Sequence, residues 1–242
     1  MFKRVFDIGV SFSGLLLASP ILLCVMLVVW LQDFKSPLYI APRVARDGGI
    51  FRMIKLRSMV ANADKTGVDS TGANDMRITA IGHLIRRYKL DELTQLWNVL
   101  IGDMSIVGPR PNVKRETDLY TEVEKELLTV RPGITDFSSI VFADEGDVLA
   151  PYPDPDIAYN QLIRPWKSRL GIFYIRHASV GLDFFLCWLT VLCIFSRDKA
   201  LIAVAARLAS LDADEDLVQI SRREKKLQPT APPGATEVVT TR

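Results

Sequence analysis

The segment around which the chain is organised reads Lys89-Leu90-Asp91-Glu92-Leu93-Thr94-Gln95-Leu96-Trp97-Asn98-Val99-Leu100. Its apolar side chains recur at helical spacing, at Leu93, Leu96, Trp97 and Leu100. This spacing predicts an amphipathic helix whose apolar face is directed to the core. Asp91 lies just before the pattern, where an N-cap residue belongs, and the positive end of the helix dipole predicts that its carboxylate stays ionised.

Basic residues lie on both sides of this acidic pair. Arg86-Arg87-Tyr88-Lys89 precedes it, and Gly108-Pro109-Arg110-Pro111 follows it, with prolines that fix φ on both sides of Arg110. Carboxylates between cations, close to a rigid arginine loop, indicate a site for a metal ion and a phosphate. The same residues also fit an N-cap Asp, a solvated Glu and an arginine in a structural loop. The segment alone leaves both interpretations open.

The composition indicates one domain with an appendage and contact with a membrane. The chain has 242 residues, a net charge of +2 and 24% charged residues, a balance that does not indicate nucleic-acid binding. Its mean hydropathy of +0.17 is high for a soluble protein. The cysteines are odd in number and lie in apolar runs, which predicts small buried side chains in a reducing compartment. They are Cys24, Cys187 and Cys193.

Residues 8–31 carry no charge and are long enough for a helix that crosses a bilayer. A signal peptide fits poorly because the run is long and has no small-residue cleavage site. Ser19-Pro20 lies near the middle, where proline removes a backbone hydrogen bond and bends a helix. Both flanks are basic, and the positive-inside rule places both in the cytoplasm. The residues alone leave a spanning helix and a re-entrant, kinked helix as open alternatives.

A β-hairpin is predicted at residues 37–41 and 50–56, with Asp47-Gly48-Gly49 supplying the positive-φ positions of its turn. Lys55 and Arg57 lie at the end of the second strand, where they can hold phosphate or protect an edge strand. Residues 61–74 are polar and predict a mobile loop. Residues 78–88 have helical spacing, and Arg131-Pro132-Gly133 predicts a type II turn centred on Pro-Gly.

The C-terminal part begins with an apolar run at residues 181–195, which is too short for a confident span and predicts a buried or interfacial helix. The predicted organisation is a basic lead with a membrane helix (1–35), a catalytic domain (36–200), a short peripheral helix (201–220) and a disordered tail (221–242).

Taken together, several segments resemble the bacterial sugar transferases, the monotopic polyprenyl-phosphate phosphoglycosyl transferases. The resemblance covers residues 3–195 in the order of the family's motifs, and the ordered set is far more specific than any one motif. The segments are the hydrophobic run with Ser19-Pro20, Phe51-Arg52-Met53-Ile54-Lys55-Leu56-Arg57-Ser58-Met59, Leu90 to Leu100 as quoted above, Gly102-Asp103-Met104-Ser105-Ile106-Val107-Gly108-Pro109-Arg110-Pro111, and Arg131-Pro132-Gly133-Ile134-Thr135.

The resemblance implies a reaction and the residues that carry it out. A nucleotide diphosphate sugar, usually a UDP-sugar, donates its phosphosugar to a polyprenyl phosphate such as undecaprenyl phosphate, which yields polyprenyl diphosphate-sugar and UMP. This is the first membrane step in the synthesis of surface polysaccharides or glycoconjugates. The family's catalytic pair falls on Asp91, as the nucleophile, and Glu92, as a general base or metal ligand. Mg²⁺, held through Asp91, offsets the charge of the pyrophosphate.

The resemblance also implies a fold and a location. The fold class is α+β, mostly α, with a short β-hairpin and an N-terminal re-entrant membrane helix broken at Ser19 and Pro20. The catalytic domain lies on the cytoplasmic face of the bacterial inner membrane, and the resemblance favours the re-entrant helix over the spanning one. The oligomeric state stays open, with a homodimer as one option. The matching motifs supply the expected phosphate-binding cations, which are Lys55, Arg57, Arg86, Arg110 and Arg131.

Two positions depart from the family's pattern. Thr94 stands where proline is common, and Asp136 stands where glycine is common. Residues 137–159 follow the family less clearly, so the donor sugar is not predicted. Two other functions remain as alternatives. A scaffold protein with this fold would need neither Asp91 nor Mg²⁺, and a glycosyltransferase that makes polyprenyl monophosphate-sugars would release UDP instead of UMP.

Overall fold

The computed structural model describes residues 2–63 and 75–240, so most of the polar segment predicted as a mobile loop falls outside the described residues. The described part is mostly helical, with a short antiparallel strand pair and a second, parallel pair. The strands are β1 (Leu38–Val44), β2 (Ile50–Leu56), β3 (Ser105–Val107) and β4 (Gly133–Thr135). The first half contains the helices α1 (Phe2–Leu31), α2 (Ala80–Arg87), α3 (Leu90–Leu93), α4 (Gln95–Ile101) and α5 (Lys114–Thr117).

The second half contains almost all of the remaining helical segments. They are a 3-10 segment (Glu124–Thr129), α6 (Phe137–Val141), α7 (Glu145–Leu149), α8 (Pro155–Ala158), a π-helical segment (Tyr159–Ile163), α9 (Arg164–His177), α10 (Val180–Phe195), α11 (Arg197–Ala209) and α12 (Glu215–Arg222).

The predicted hairpin is confirmed. β1 and β2 pair antiparallel, with Val44 opposite Ile50. The connection contains Asp47 and Gly48 with φ values of 60° and 79°. Glycine reaches this conformation without the steric cost that a Cβ imposes, so the local sequence is sufficient to place the turn.

The predicted type II turn at Pro132-Gly133 is wrong. Gly133 begins β4 and does not have a positive φ. The strand pairs parallel with β3, with Ser105 opposite Gly133. A Cβ on Gly133 would lie 2.1 Å from the backbone nitrogen of Gly108. Glycine is therefore required here for the close approach of two backbones, a need that arises only when two distant segments pack together.

The central segment forms two short helices instead of one. Lys89 is the residue before α3 and has a left-handed φ of 53°, so Asp91 lies inside the first turn and is not the N-cap. The predicted N-cap position is wrong because the chain turns at Lys89, directly after α2. Thr94 joins α3 to α4, and its hydroxyl donates to the Ile54 carbonyl of β2 at 3.1 Å.

The buried face of α4 also differs from the prediction. Leu96 is buried, but Trp97 is 49% exposed, while Asn98 and Val99 are buried instead. Asn98 faces inward because its amide completes the backbone hydrogen bonding of β2. Its Nδ2 donates to the Arg52 carbonyl at 2.8 Å, and its Oδ1 accepts from the Ile54 N–H at 2.9 Å. A polar side chain satisfied in this way can be buried at little cost.

The helix α1 packs on the domain near its start. Lys3 Nζ contacts the Asp183 carboxylate of α10 at 2.7 Å. Arg4 donates to the carbonyls of Val99 and Leu100, at 2.6 and 2.9 Å, and so satisfies free groups at the end of α4. These contacts hold the first turns of α1 against α4 and α10.

The second half of α1 also contacts the domain. Leu22 and Val29 are buried in a cluster with Leu56 of β2 and Ile85 of α2. In the described part of the chain, α1 is the helix that is long and apolar enough to cross a membrane. It runs as one helix through Pro20, so the break at Ser19 and Pro20 stays a prediction.

The C-terminal segments pack more closely on the domain than the sequence predicts. Residues 201–220, expected as one peripheral helix, lie in α11 and α12, and Leu201, Val204 and Leu208 belong to the main core. The tail, expected to be disordered, follows the surface of α9 and the π-helical segment. Hydrogen bonds hold it there: Thr230 N–H to the Gln161 carbonyl at 3.0 Å, and Arg169 to the Ala231 carbonyl at 3.0 Å.

Candidate active site

A cleft of about 1050 Å³ lies beside the hairpin, and Asp91 and Glu92 both line it. The backbone brings together elements that are far apart in sequence: the end of β2, the last turn of α2, the first turn of α3, the loop after β3 and the segment after β4. Other polar residues of the lining include Lys55, Arg57, Arg86, Arg110, Asp136, Asp144, Glu145, Arg164 and Lys167.

Among residues 2–63 and 75–240, Asp91 has one ion-pair partner within 4.0 Å, Lys55. Its Oδ2 lies 3.8 Å from Lys55 Nζ, and its side chain is 14% exposed. Burial raises the pKa of Asp91, and the positive charge of Lys55 opposes this shift only in part. The sequence predicts an ionised carboxylate from the helix terminus; in the structure the charge of Lys55 favours that form and burial opposes it. The Asp91 carboxylate has little contact with water, and its ion pair with Lys55 is long. Both features suit a nucleophile.

Glu92 is held much more firmly than its neighbour. Arg110 Nη2 donates to Glu92 Oε1 at 2.6 Å, and Arg110 Nη1 donates to the Ile134 carbonyl at 2.8 Å. Burial alone would raise the pKa of Glu92, but Arg110, with Lys89 and Lys55, lowers it to about 2. A carboxylate with this pKa is a weak proton acceptor at neutral pH. The geometry therefore supports a role in holding Arg110 over the predicted role as general base.

Three of the predicted cations, Lys55, Arg86 and Arg110, line the cleft near the acidic pair. Lys55 comes from β2, and burial lowers its pKa while Asp91 opposes the shift. Arg86 comes from the last turn of α2, and its Nε donates to Ser58 Oγ at 2.9 Å. The structure thus places a lysine and two arginines where a diphosphate can approach Asp91.

Arg57 lines the same cleft but is engaged by the segment just after α1. Its two terminal nitrogens contact the Asp33 carboxylate at 2.6 and 2.7 Å, and one also reaches the Val29 carbonyl at 3.3 Å. This bidentate pair ties the chain just after α1 to the exit of β2.

Arg131 lies outside the cleft, contrary to the prediction that it binds phosphate there. Its Nε donates to the Gly102 carbonyl, just after α4, at 2.9 Å. The reason is the parallel pairing of β3 and β4, which places the residues before one strand beside those before the other. Arg131 precedes β4 and therefore meets the chain that leads into β3.

Several cleft residues were not predicted as site residues. Asp144 and Glu145 belong to no motif that predicts a site, and Lys167 lies within a helical pattern that carries no local signal of one. In the structure Lys167 pairs with Glu145. Asp136, noted only as a departure from the family's glycine, lines the cleft and caps α6 by accepting from the Ser139 N–H at 2.8 Å.

The donor set of the cleft fits a magnesium ion that takes most of its ligands from a substrate. Within the described ranges no three His, Cys, Asp or Glu side chains are grouped to hold a metal by themselves. Mg²⁺ commonly binds through one or two carboxylates together with substrate phosphates and water. Asp91, which is only loosely paired with Lys55, is the carboxylate that remains open to such a cation, because Glu92 is engaged by Arg110.

Comparison with known proteins gives the family. The family model described as "Bacterial sugar transferase" matches residues 1–197, which include α1, the hairpin and every residue of the cleft named above. The chain belongs to the bacterial sugar transferase family. The sequence resemblance is thereby confirmed, and α12 and the tail lie beyond the match.

Three curated relatives illustrate the family. The chain is 31% identical to the UDP-galactose-lipid carrier transferase of Erwinia amylovora over 82% of this chain and 41% of the relative. It is 34% identical to the UDP-glucose:undecaprenyl-phosphate glucose-1-phosphate transferase of Escherichia coli over 79% and 39%. It is 40% identical to the undecaprenyl-phosphate galactose phosphotransferase of Salmonella typhimurium over 55% and 31%. The chain thus spans less than half the length of these relatives.

Proposed function

We propose that this protein transfers a phosphosugar from a nucleotide diphosphate sugar, with a UDP-sugar as the expected donor, to undecaprenyl phosphate. The products are undecaprenyl diphosphate-sugar and UMP, and the reaction begins the synthesis of a surface polysaccharide or glycoconjugate. The observation that carries the proposal is the arrangement of Asp91, open and weakly solvated, among Lys55, Arg86 and Arg110 in one cleft. The names of the relatives agree with this donor and acceptor.

The acidic pair supports a reaction in two steps. An oxygen of Asp91 attacks the β-phosphorus of the donor, the bond from that phosphorus to the bridging oxygen breaks, and UMP leaves with the bond's electron pair. An oxygen of undecaprenyl phosphate then attacks the same phosphorus and releases the Asp91 carboxylate. Phosphoryl transfer depends mainly on positioning and on charge stabilisation. Glu92 contributes by fixing the guanidinium of Arg110 towards the cleft.

Mg²⁺ is proposed as the cofactor. Asp91 is the residue that would hold it, and when bound it would offset the negative charge of the pyrophosphate. The chain's own cations share that task, because Lys55 and Arg110 lie next to the two carboxylates.

The membrane topology is the second part of the proposal. A helix of 30 residues is about 45 Å long, more than the roughly 30 Å hydrocarbon core of a bilayer. A straight spanning helix would carry one of its ends away from the domain. Here Lys3 near the start of α1 and Val29 near its end both contact the domain. These contacts argue against a straight span, and we propose a re-entrant helix that returns to the cytoplasmic face of the inner membrane and bends at Ser19 and Pro20, where proline removes a backbone hydrogen bond.

The reaction is tested by nucleotide release. The full chain in nanodiscs is mixed with Mg²⁺, undecaprenyl phosphate and a panel of UDP-sugars, beside Asp91→Asn and the matched surface control Asp118→Asn. We expect UMP from at least one donor, a loss of at least about 10³-fold in Asp91→Asn, and full activity in Asp118→Asn. Without acceptor, the wild type should release about one UMP per protein and gain a phosphosugar on the peptide that contains Asp91.

The alternatives predict other products. UDP as the released nucleotide would indicate direct glycosyl transfer and would exclude the covalent phosphosugar step. A folded protein that releases no nucleotide from any donor, and a biological function that survives in Asp91→Asn, would indicate a scaffold.

The topology is tested by labelling single cysteines. In a variant with Cys24, Cys187 and Cys193 replaced by serine, one cysteine is placed at Phe2 or at Lys35. A membrane-impermeant maleimide is then added to inverted inner-membrane vesicles, which expose the cytoplasmic face. A re-entrant helix predicts that both positions react, whereas a spanning helix predicts that only one does.

A further inference from the structure

One wall of the cleft contacts Arg223, which lies outside the family match. The wall consists of residues 142–147, which follow α6 and begin α7, and all of them line the cleft. Its Asp144 contacts two arginines of the C-terminal part. Arg197 Nη2 lies 2.9 Å from Asp144 Oδ1, and Arg223 Nη2 donates to Asp144 Oδ2 at 2.9 Å.

Arg223 contacts this wall in two ways. Besides its ion pair with Asp144, its guanidinium lies 5.2 Å from the ring centroid of Phe142. Its side chain is only 9% exposed. An arginine that is both paired and stacked on an aromatic ring is not replaced equally well by lysine, because the planar group makes both contacts.

The position of Arg223 is fixed by folded structure. It follows α12 directly, with a left-handed φ of 56° that ends the helix. Leu217 of α12 and Val204 and Leu208 of α11 are buried in the main core. The two helices are therefore packed firmly on the domain, and Arg223 contacts the wall from the end of α12.

The chemistry of the wall indicates which substrate it meets. Asp144, Glu145 and Asp147 carry acceptor oxygens; Asp144 is paired with Arg197 and Arg223, and Glu145 is paired with Lys167. With these cations the carboxylates of the wall give little net charge to attract a diphosphate, but their oxygens can accept hydrogen bonds from hydroxyl groups. Carboxylates also disfavour contact with a lipid chain, since burying charged groups against hydrocarbon is costly. The wall thus suits the hydroxyl-bearing sugar or ribose of a nucleotide-sugar.

We propose that Arg223 is a positioning residue for the donor: it holds residues 142–147 so that their acceptors meet the hydroxyl groups of the nucleotide-sugar. This inference rests on the proposed function. By this inference, the segment beyond residue 197 contributes to binding of the donor and does not contribute to binding of the lipid.

Steady-state kinetics of the full chain provide the first test, with Arg222→Ala as the matched control, because Arg222 is the exposed neighbour at the end of the same helix. In Arg223→Ala we expect the KM for the donor to rise roughly tenfold, the size expected for one lost hydrogen bond to a charged group. The kcat and the KM for undecaprenyl phosphate should stay within about twofold. Arg223→Lys should recover part of the loss.

A double-mutant cycle isolates the contact. Asp144→Asn should raise the donor KM by a similar factor, and Arg223→Ala combined with Asp144→Asn should be no worse than either alone. Additive effects, or an equal rise in the KM of both substrates, would overturn the inference in favour of a general structural role.

Hydrogen exchange provides a measurement that needs no turnover. The N–H groups of Asp147 and Val148 donate to the Asp144 carbonyl at 2.9 and 3.0 Å. In Arg223→Ala these amides should exchange roughly tenfold faster or more, while amides of α10 keep the wild-type rate. Unchanged exchange at the wall would refute the positioning role. A wild type that releases no UMP would instead refute the proposed function, and the exchange result would still decide whether Arg223 holds the wall.

Discussion

The two arginine–proline loops of this protein have similar sequences and different positions. The Arg110 loop, residues 108–111, follows β3, and the Arg131 loop, residues 131–133, leads into β4, which begins at Gly133. Arg110 lies in the cleft and contacts Glu92 at 2.6 Å. Arg131 lies outside the cleft and donates to the Gly102 carbonyl at 2.9 Å. An arginine beside proline is therefore not by itself a signal for phosphate binding.

The parallel pairing of β3 and β4 explains the difference. Residues that precede two parallel strands lie at the same edge, so Arg131 joins the end of α4. There Arg131 and Arg4 both donate hydrogen bonds to carbonyls at the end of α4 that have no partner within the helix. Arg110 follows β3 and reaches the Ile134 carbonyl within β4, from where it extends to the acidic pair. Strand direction thus separates a cleft residue from a structural one.

The largest effect is expected where the two loops touch. Gly133→Ala would place a Cβ 2.1 Å from the Gly108 nitrogen, and because backbone cannot yield like a side chain, we expect a loss of about 3 kcal/mol or more in stability. Thermal unfolding in detergent measures the loss. The control Gly181→Ala meets no atom within 4 Å and should be neutral or slightly stabilising. Equal melting temperatures for the two variants would contradict the close approach of the loops.

Arg110→Ala should lower kcat/KM by about 10²-fold, which corresponds to about 2.7 kcal/mol. The variant removes a cation from the diphosphate and leaves Glu92 without its strongest partner. UMP release at varied donor concentration measures it. Arg110→Lys should recover only part of the activity, because lysine cannot contact Glu92 and the Ile134 carbonyl together. Full activity in Arg110→Ala would remove this loop from the site.

The dependence of stability on acidic pH tests the contact between Arg110 and Glu92. The folded pKa of Glu92 is lowered to about 2 from its ordinary 4.5, so its stabilising effect is complete above pH 4.5 and is lost as the pH falls towards 2. Thermal unfolding of the wild type and of Arg110→Ala between pH 7 and pH 2.5 tests this. We expect the difference between the two proteins to shrink over that window. A constant difference would show that Glu92 is not the group that titrates.

Arg131→Ala should have the smallest effect. The loss of one partly exposed hydrogen bond to a helix end predicts about 1 kcal/mol of stability or less. Donor and acceptor KM values should match the wild type, since Arg131 does not line the cleft. A loss of activity comparable to that of Arg110→Ala, with the melting temperature unchanged, would restore the prediction that this arginine binds phosphate.

Features that depend on neighbouring residues were predictable. The Asp47-Gly48 turn and the hairpin follow from local backbone preferences, and α2 follows from helical spacing and the Thr79 cap. The acidic pair and its nearby cations could also be recognised, because the ordered motifs identify the family. Features that depend on distant partners could not. The inward direction of Asn98 depends on β2, and the place of Lys167 in the cleft depends on the packing of α9.

The sequence by itself determined the family, the hairpin, the apolar N-terminal helix and the identity of Asp91 and Glu92, because each depends on adjacent residues or on an ordered set of motifs. The tertiary structure decided how the two carboxylates differ. Burial raises the pKa of Asp91, while the contact with Arg110 lowers that of Glu92. It also decided where the arginines lie, since strand direction brings Arg110 to the cleft and leaves Arg131 outside, and the packing of the C-terminal helices places Arg223 against Asp144 and Phe142 of the wall.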